Sequence, residues 1–247
     1  MQALLHRSHS VRALGVGLLW GAMTVGAPSV LGAQAAPAAP AKPARVFLPL
    51  ALQVGVPQGD FAENVKVAGG LGGGLMFRMM SQLALRTELG VMIYGSETRT
   101  VPLGSGPLGR ITVDVTTTNT IFGGGLGFQV GLPGPTARPY VGGTLGFSSF
   151  TTTSSVKGEN SSDEPFASSN NYSDVAFAKN ALAGFYVPFG GGRAMLDIGA
   201  RYTWNGEEVR YLTEGDIVDN PTGPPTITPR RTRADLVTAI LGVTFAF

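Results

Sequence analysis

The sequence predicts an all-β fold: a closed, antiparallel, up-and-down transmembrane β-barrel of about eight strands. Three observations support this prediction. From Arg45 to Phe247, hydrophobic residues recur at every second position within segments of strand length. The connections between these segments alternate between short and long. No stretch after the N-terminus is apolar over the ~20 residues that a spanning helix needs, and lipid otherwise admits only closed barrels.

The N-terminus has the pattern of a secretory signal peptide. Arg7 and Arg12 precede an apolar run that ends in small residues at Gly32-Ala33. We predict that residues 1–33 form the signal peptide, with cleavage after Ala33, although a membrane anchor is the alternative. Residues 34–44 form an extended Ala/Pro-rich leader. Residues 45–247 form the barrel.

Signal-peptide removal changes the charge and the chemistry of the chain. The printed sequence has 18 basic and 16 acidic residues, and cleavage removes Arg7 and Arg12, so the mature net charge is zero. We therefore expect no nucleic-acid partner. Cleavage also removes both histidines, His6 and His9, and the chain has no cysteine. Because hydrolase triads and zinc sites rely on these residues, we predict no catalytic, cofactor-binding or metal-binding residues and no enzyme activity.

Eight alternating segments follow the leader. In the last one, Val237, Ala239, Leu241, Val243, Phe245 and Phe247 share one face, and mainly small or polar residues share the other. The seven earlier segments begin near residues 46, 67, 83, 111, 140, 174 and 196. Glycine, alanine and threonine dominate the second face. Such small residues suit the interior of a narrow barrel.

The connections also indicate a membrane barrel. Short turns occur at 80–82, 133–139 and 190–192, and longer polar loops are predicted at 57–66, 95–110, 152–173 and 205–232. Outer-membrane barrels have short periplasmic turns, long external loops and an even number of strands. Eight strands with both termini in the periplasm give four loops and three turns, as counted here.

Several charged residues fall on the predicted inner face. These candidates for lumen ion pairs are Arg78, Arg86, Glu88, Asp197 and Arg201, with Asp235 as a further candidate. Charges inside a barrel must be paired or hydrated because isolated buried charge is costly. The pairs either gate the lumen or simply fill it.

Other basic residues point to the membrane surface. Arg230, Arg231 and Arg233 lie where the last strand enters the membrane, and we predict that they contact lipopolysaccharide phosphates. The alternative is simple snorkelling of long side chains at the interface. Lys179 is unusual because it falls on the lipid-facing side of its segment. A bulge or a position near the headgroups would account for it.

The C-terminus resembles the insertion signal of bacterial outer-membrane proteins. The chain ends in Gly242-Val243-Thr244-Phe245-Ala246-Phe247, with a glycine, alternating aromatic positions and a terminal phenylalanine. The region from Arg45 onward resembles the outer-membrane β-barrel domain, and specifically the small barrels like outer membrane proteins A and X. The resemblance implies that Gly242, Phe245 and Phe247 act as the insertion signal and that the outer-membrane insertion machinery is a partner.

We therefore expect an exported, monomeric protein of the Gram-negative outer membrane, surrounded by lipid and lipopolysaccharide. Its expected role is structural, adhesive or surface-binding, delivered by the extracellular loops. Two alternatives remain. One is a small porin-like pore or transport barrel, although eight strands leave little room for water. The other is a secreted soluble barrel of lipocalin type that holds one ligand.

Overall fold

The computed structural model describes residues 44–247 apart from 107–108, 135, 159–164, 166, 190, 192, 207, 214–215 and 219–225. The predicted signal peptide and all of the leader except Ala44 lie outside the described residues. The described chain contains one short helix, α1 (Asp60–Asn64). Its strands are β1 (Val46–Pro57), β2 (Ala68–Gly73), β3 (Met76–Arg78), β4 (Leu83–Gly106), β5 (Gly109–Gly131), β6 (Arg138–Gly158), β7 (Ala167–Phe189), β8 (Ala194–Asn205), β9 (Val209–Tyr211), β10 (Ile217–Val218), β11 (Thr226–Ile227), β12 (Arg230–Thr232) and β13 (Leu236–Ala246).

The main sheet closes on itself. Each strand from β4 to β8 pairs antiparallel with the next, β8 pairs with β13, and β13 returns to pair with β1. β2 and β3 lie end to end between β1 and β4 and act as one strand. The result is a closed, eight-stranded, up-and-down barrel, as the sequence predicts.

The faces of the strands also agree with the alternating pattern. In β13, Leu241 and Phe245 are exposed on the outside, whereas Ile240 and Thr244 are buried inside. The exposed residues of the other barrel strands are equally apolar. They include Leu50, Leu52, Val54, Leu71, Leu89, Val91, Phe122, Leu126, Phe128, Val141, Leu145, Phe177 and Phe185. A continuous apolar exterior of this size indicates a non-aqueous environment.

The break between β2 and β3 lies at Gly74 and Leu75. The backbone of Leu75 donates to Thr87 Oγ1 at 2.9 Å, and its carbonyl accepts from the Thr87 amide at 2.8 Å. A Cβ atom at Gly74 would overlap the Thr87 carbonyl oxygen. Glycine is therefore required here by the close approach of two backbones.

The described parts of two predicted loops are in fact largely strand. Segments 95–110 and 152–173 were predicted to be loops, but β4 and β5 pair as far as Gly106 and Gly109, and β6 and β7 pair from Val156 and Ala167. Residues 95–100 and 152–155 are polar or glycine at successive positions, so the period of two disappears from the sequence there. The β-branched threonines nevertheless favour extended backbone.

The two ends of the barrel differ, and we name them by their connections. At the turn end, three short connections join β3 to β4, β5 to β6 and β7 to β8, as predicted. The opposite end, the loop end, carries α1, the long hairpins β4–β5 and β6–β7, and the small strands β9 to β12. Among the described residues, no helix has the length and apolarity needed to cross a membrane.

Candidate functional site

A belt of polar side chains crosses the lumen at the level of Arg86 and Glu88 on β4. Arg86 Nε donates to Glu88 Oε1 at 2.9 Å, and both side chains are under 10 % exposed. The second carboxylate oxygen of Glu88 accepts from Thr144 at 3.1 Å and lies 3.7 Å from Arg201 on β8. Glu88 thus links two guanidinium groups. The alternation of β4 places Arg86 and Glu88 two residues apart on the inner face.

Neutral side chains complete the belt. Arg86 donates to Gln129 at 2.6 Å and to the Tyr186 hydroxyl at 3.3 Å, and Arg201 donates to Gln53 at 3.0 Å. These contacts connect β1, β4, β5, β7 and β8 across the lumen. A cavity of about 40 Å³ beside the belt has room for a few water molecules.

The other predicted lumen charges have different surroundings. Asp197 is buried and accepts a hydrogen bond from Tyr140 at 2.8 Å. Asp235 is also buried, where it accepts from the Asn205 amide at 3.1 Å. Arg78 has no carboxylate partner among the described residues, so the structure gives no support for an ion pair there. Its guanidinium instead lies 4.7 Å from the centre of the Phe47 ring, at the turn end.

An apolar cluster closes the lumen at the loop end, and we call it the lid. Phe61 of α1 is fully buried, and its ring packs edge to face on that of Tyr211 of β9 at 4.9 Å. The remaining buried members of the lid are Val65, Ala68, Met92, Tyr94, Ile121, Phe150, Val209, Ala234 and Leu236. Segment 57–66 and the described residues of segment 205–232 are therefore not free loops but fold into the mouth of the barrel.

Hydrogen bonds connect α1 to the part of the lid that comes from β9, Asp216 and β12. Arg230 of β12 bonds Asn64 of α1 at 2.6 Å and forms an ion pair with Asp216 at 2.9 Å. Asn64 in turn donates to the Tyr211 hydroxyl at 3.1 Å. The aromatic packing and these bonds hold α1 against β9.

Four strands extend past the lid as a projecting sheet, which comprises residues 95–106, 109–119, 152–158 and 167–173. Its neighbours stop earlier: β2 last pairs with β4 at Ile93, and β8 last pairs with β7 at Ala178. Hydroxyl contacts join its strands, such as Thr98 to Thr116 at 2.9 Å. At ~3.4 Å per residue, the β4 part alone has a contour length of about 40 Å.

The structure places the three predicted lipopolysaccharide-contacting arginines in different settings. Arg230 is held within the lid, and Arg231 forms an exposed ion pair with Glu208 at 2.5 Å. Arg233 is exposed and lines an open groove with Lys179. Lys179 faces outward opposite Trp204, one pair below the end of the β7–β8 ladder.

The open groove beside Lys179 and Arg233 is here called the interface groove. It is lined by Phe177, Lys179, Trp204, Gly206, Arg233 and Asp235. The Phe177 and Trp204 side chains are about half exposed. The groove lies where the segment at 205–232 leaves and rejoins the barrel. The outward position of Lys179 thus reflects its place near the rim of the apolar exterior, and β7 pairs through this residue without a bulge.

The predicted insertion signal lies at the seam of the barrel. Phe245 and Phe247 point outward and are exposed, and the Phe247 amide donates to the Val46 carbonyl at 2.9 Å. A Cβ atom at Gly242 would overlap the Leu50 carbonyl oxygen, so glycine allows β13 to approach β1. These residues close the barrel. Their recognition by an insertion machinery remains a prediction.

The structure resembles those of several small outer-membrane proteins. It matches neisserial surface protein A with 12% identity and a TM-score of 0.45, over 82% of this chain and 97% of that one. It matches Ail, the attachment invasion locus protein of Yersinia pestis, with 12% identity and a TM-score of 0.42, over 83% and 100%. The N-terminal β-barrel domain of Pseudomonas aeruginosa OprF matches with 15% identity and a TM-score of 0.36, over 83% and 100%. No protein-family model and no curated protein sequence matches the chain.

The chain has the architecture of the small eight-stranded outer-membrane barrels. Within this barrel, sequence reasoning identified the charged members of the belt but missed Gln53, Gln129 and Thr144. Their inward positions in alternating segments were the available signal. Among the described residues, no cluster of His, Cys, Asp or Glu side chains has the arrangement of a metal site.

Proposed function

We propose that the protein is an integral protein of a bacterial outer membrane that presents the projecting sheet outside the cell as a binding surface. The apolar exterior supports the membrane location, and the loop end then faces outward, as in other outer-membrane barrels. The terminal aromatic strand supports assembly by the outer-membrane insertion machinery. The barrel itself acts as a rigid, monomeric anchor.

The filled lumen favours this role over that of a pore. Passage through the barrel would require breaking the contacts of Glu88 with Arg86 and Arg201, and also displacing Phe61 and Tyr211 from the lid. The same filling leaves no lipocalin-like chamber in the belt, where the cavity is about 40 Å³. Both alternatives are therefore less well supported than an anchor.

The length of the projecting sheet is the observation that carries the proposed binding role. A membrane-crossing strand needs ~9–11 residues, whereas β4 has 24 residues and β5 has 23. The excess is paired as strand and is rich in hydroxyl groups that can bond a polar partner. The β4 edge carries Pro102 and two register shifts, which are features that oppose edge-to-edge pairing. We therefore assign binding to the polar faces of the sheet.

Removing the projecting sheet is expected to abolish surface attachment without disturbing the barrel. Gly95 pairs with Asn119, and Thr151 pairs with Ser173, so a two-residue Asn-Gly turn can replace 96–118 and another can replace 152–172. We expect cells expressing this variant to attach to matrix-coated wells no better than cells with an empty vector. Equal amounts of heat-modifiable, folded protein in the outer membrane provide the control. Undiminished attachment would contradict the binding role.

We further propose that the interface groove binds a phosphate of lipopolysaccharide. Neither Lys179 nor Arg233 has a carboxylate partner within hydrogen-bonding distance among the described residues. Asp235 lines the same groove, but its oxygens accept from Asn205 and Tyr202. Two cations beside the Trp204 and Phe177 rings suit a ligand with an anionic headgroup and acyl chains.

Neutralising the groove is expected to reduce stabilisation by lipopolysaccharide. Added lipopolysaccharide should raise the melting temperature of the purified protein in lipid vesicles, because a ligand that binds only the folded state stabilises it. In the double variant Lys179→Gln/Arg233→Gln we expect this rise to fall by half or more. Arg231→Gln is the matched control, since Arg231 is already paired with Glu208. If the rise in melting temperature fell equally in both variants, the effect would be one of general charge, and the interface groove would not be the lipopolysaccharide site.

A further inference from the structure

A second cavity lies at the turn end of the barrel, away from the belt and the projecting sheet. Its volume is about 320 Å³, near the lower limit for small-molecule sites. It lies among the β3–β4 and β5–β6 turns and the turn-end parts of the strands. Nothing in the proposed anchoring or binding role uses it.

Two arginines face this cavity without an acidic partner. Arg78 and Arg138 are each half-buried, and both line the cavity. None of the residues described around the cavity is Asp or Glu. Arg78 is held in place by the Phe47 ring beneath it. Two like charges sharing a partly dehydrated space repel one another, and an anion bound between them would relieve that repulsion.

The rest of the lining is largely apolar. Met76 and Met195 are buried in the cluster that also contains Phe47, and Met80 and Leu132 form the exposed rim. Methionine side chains adapt readily to ligands of irregular shape. The cavity therefore offers a charged recognition point and an apolar surface beside it.

We propose that this cavity binds a small soluble amphiphilic anion, with its carboxylate between Arg78 and Arg138 and its hydrocarbon part against Met76 and Met195. Guanidinium groups bind carboxylates through paired, charge-assisted hydrogen bonds. The predicted leader is a poor occupant, because residues 34–44 contain Lys42 and no acidic residue. The inference does not depend on the attachment role of the projecting sheet.

Methionine-methyl NMR can test the site, with hexanoate as the probe and the barrel in nanodiscs of zwitterionic lipid. Met76, Met80 and Met195 line the cavity. Met79 is exposed outside it and reports partitioning of the probe into lipid, while Met92 lies in the lid and reports folding. We expect saturable shifts of the Met76 and Met195 resonances with hexanoate and none with hexanol.

Arginine substitutions make the test specific. Arg78→Gln and Arg138→Gln are each expected to weaken hexanoate binding by about tenfold, the effect of losing one charge-assisted contact. Arg193→Gln is the matched control, because Arg193 is exposed near the same end but does not line the cavity. An unshifted Met92 resonance shows that each variant is folded.

Three results would overturn the proposal. These are no saturable shift with hexanoate, equal shifts with hexanol, or unchanged affinity in both Gln variants at the cavity. Nanodiscs containing phosphatidylglycerol distinguish a lipid occupant from a soluble one. If phosphatidylglycerol alone shifts the Met76 and Met195 resonances and blocks hexanoate binding, the site binds a lipid phosphate. The proposal of a soluble ligand would then be wrong.

Discussion

Glu88→Gln is expected to destabilise the folded barrel by about 3–5 kcal/mol, because it leaves two buried guanidinium groups without their shared carboxylate. The side chains of Arg86 and Arg201 are only 6% and 11% exposed, so bulk water solvates them poorly once the carboxylate is gone. Glutamine preserves the shape of glutamate and isolates the effect of charge. The free energy of unfolding can be measured by denaturant titration of protein refolded into lipid vesicles.

An exposed ion pair supplies the control for this prediction. Glu208 is paired with Arg231, and both side chains are at least half exposed. Glu208→Gln should cost no more than about 1 kcal/mol, as is usual for surface pairs. If the two substitutions had equal effects, the belt would not be the main electrostatic element of the lumen.

The strands within the apolar exterior could be predicted well from the sequence. In β13, Leu241 and Ile240 are similar in hydrophobicity, yet one faces outward and the other inward, as their alternating positions predict. The turns were equally clear because each follows an apolar segment and contains glycine, proline or serine. The alternation can be recognised because the outward face is apolar and the inward face is mainly small or polar.

That contrast is missing where the prediction failed. Residues 96–100, Ser-Glu-Thr-Arg-Thr, are polar at every position, so nothing in the sequence distinguishes one face of the β4 extension from the other, and segment 95–110 is predicted as a loop. The lid was missed for a different reason. Phe61, Val209 and Tyr211 lie in polar segments, and their pairing depends on how those segments fold back over the mouth. Isolated aromatic residues in polar loops were the available signal.

Knowing which residues point into the lumen predicts some of the contacts there but not all of them. Alternation puts Arg86 and Glu88 side by side, and their ion pair could be anticipated from that placement. The approach of Arg201 to Glu88 could not, because it depends on the stagger between strands four positions apart around the barrel. The lack of a carboxylate partner for Arg78 among the described residues has the same origin. The sequence identifies inward charges but not the height at which each one lies.

Leu241→Arg is expected to destabilise the barrel in lipid by about 2–4 kcal/mol, the cost of an arginine on the lipid-facing surface near the bilayer midplane. Leu241 is at the centre of β13, and its side chain is half exposed on the outside of the barrel. In a water-soluble barrel the same substitution would lie within about 0.5 kcal/mol, as surface changes usually do. The sign and size of this one effect therefore separate the two environments.

Denaturant unfolding of Leu241→Arg in lipid vesicles, beside Ser173→Arg, is the most direct test that the apolar exterior faces lipid. Ser173 is exposed on the projecting sheet, so arginine there enters water. A membrane barrel predicts a loss of about 2–4 kcal/mol for Leu241→Arg and within about 0.5 kcal/mol for Ser173→Arg. Equal, small effects at both positions would contradict the membrane barrel and favour a secreted soluble one.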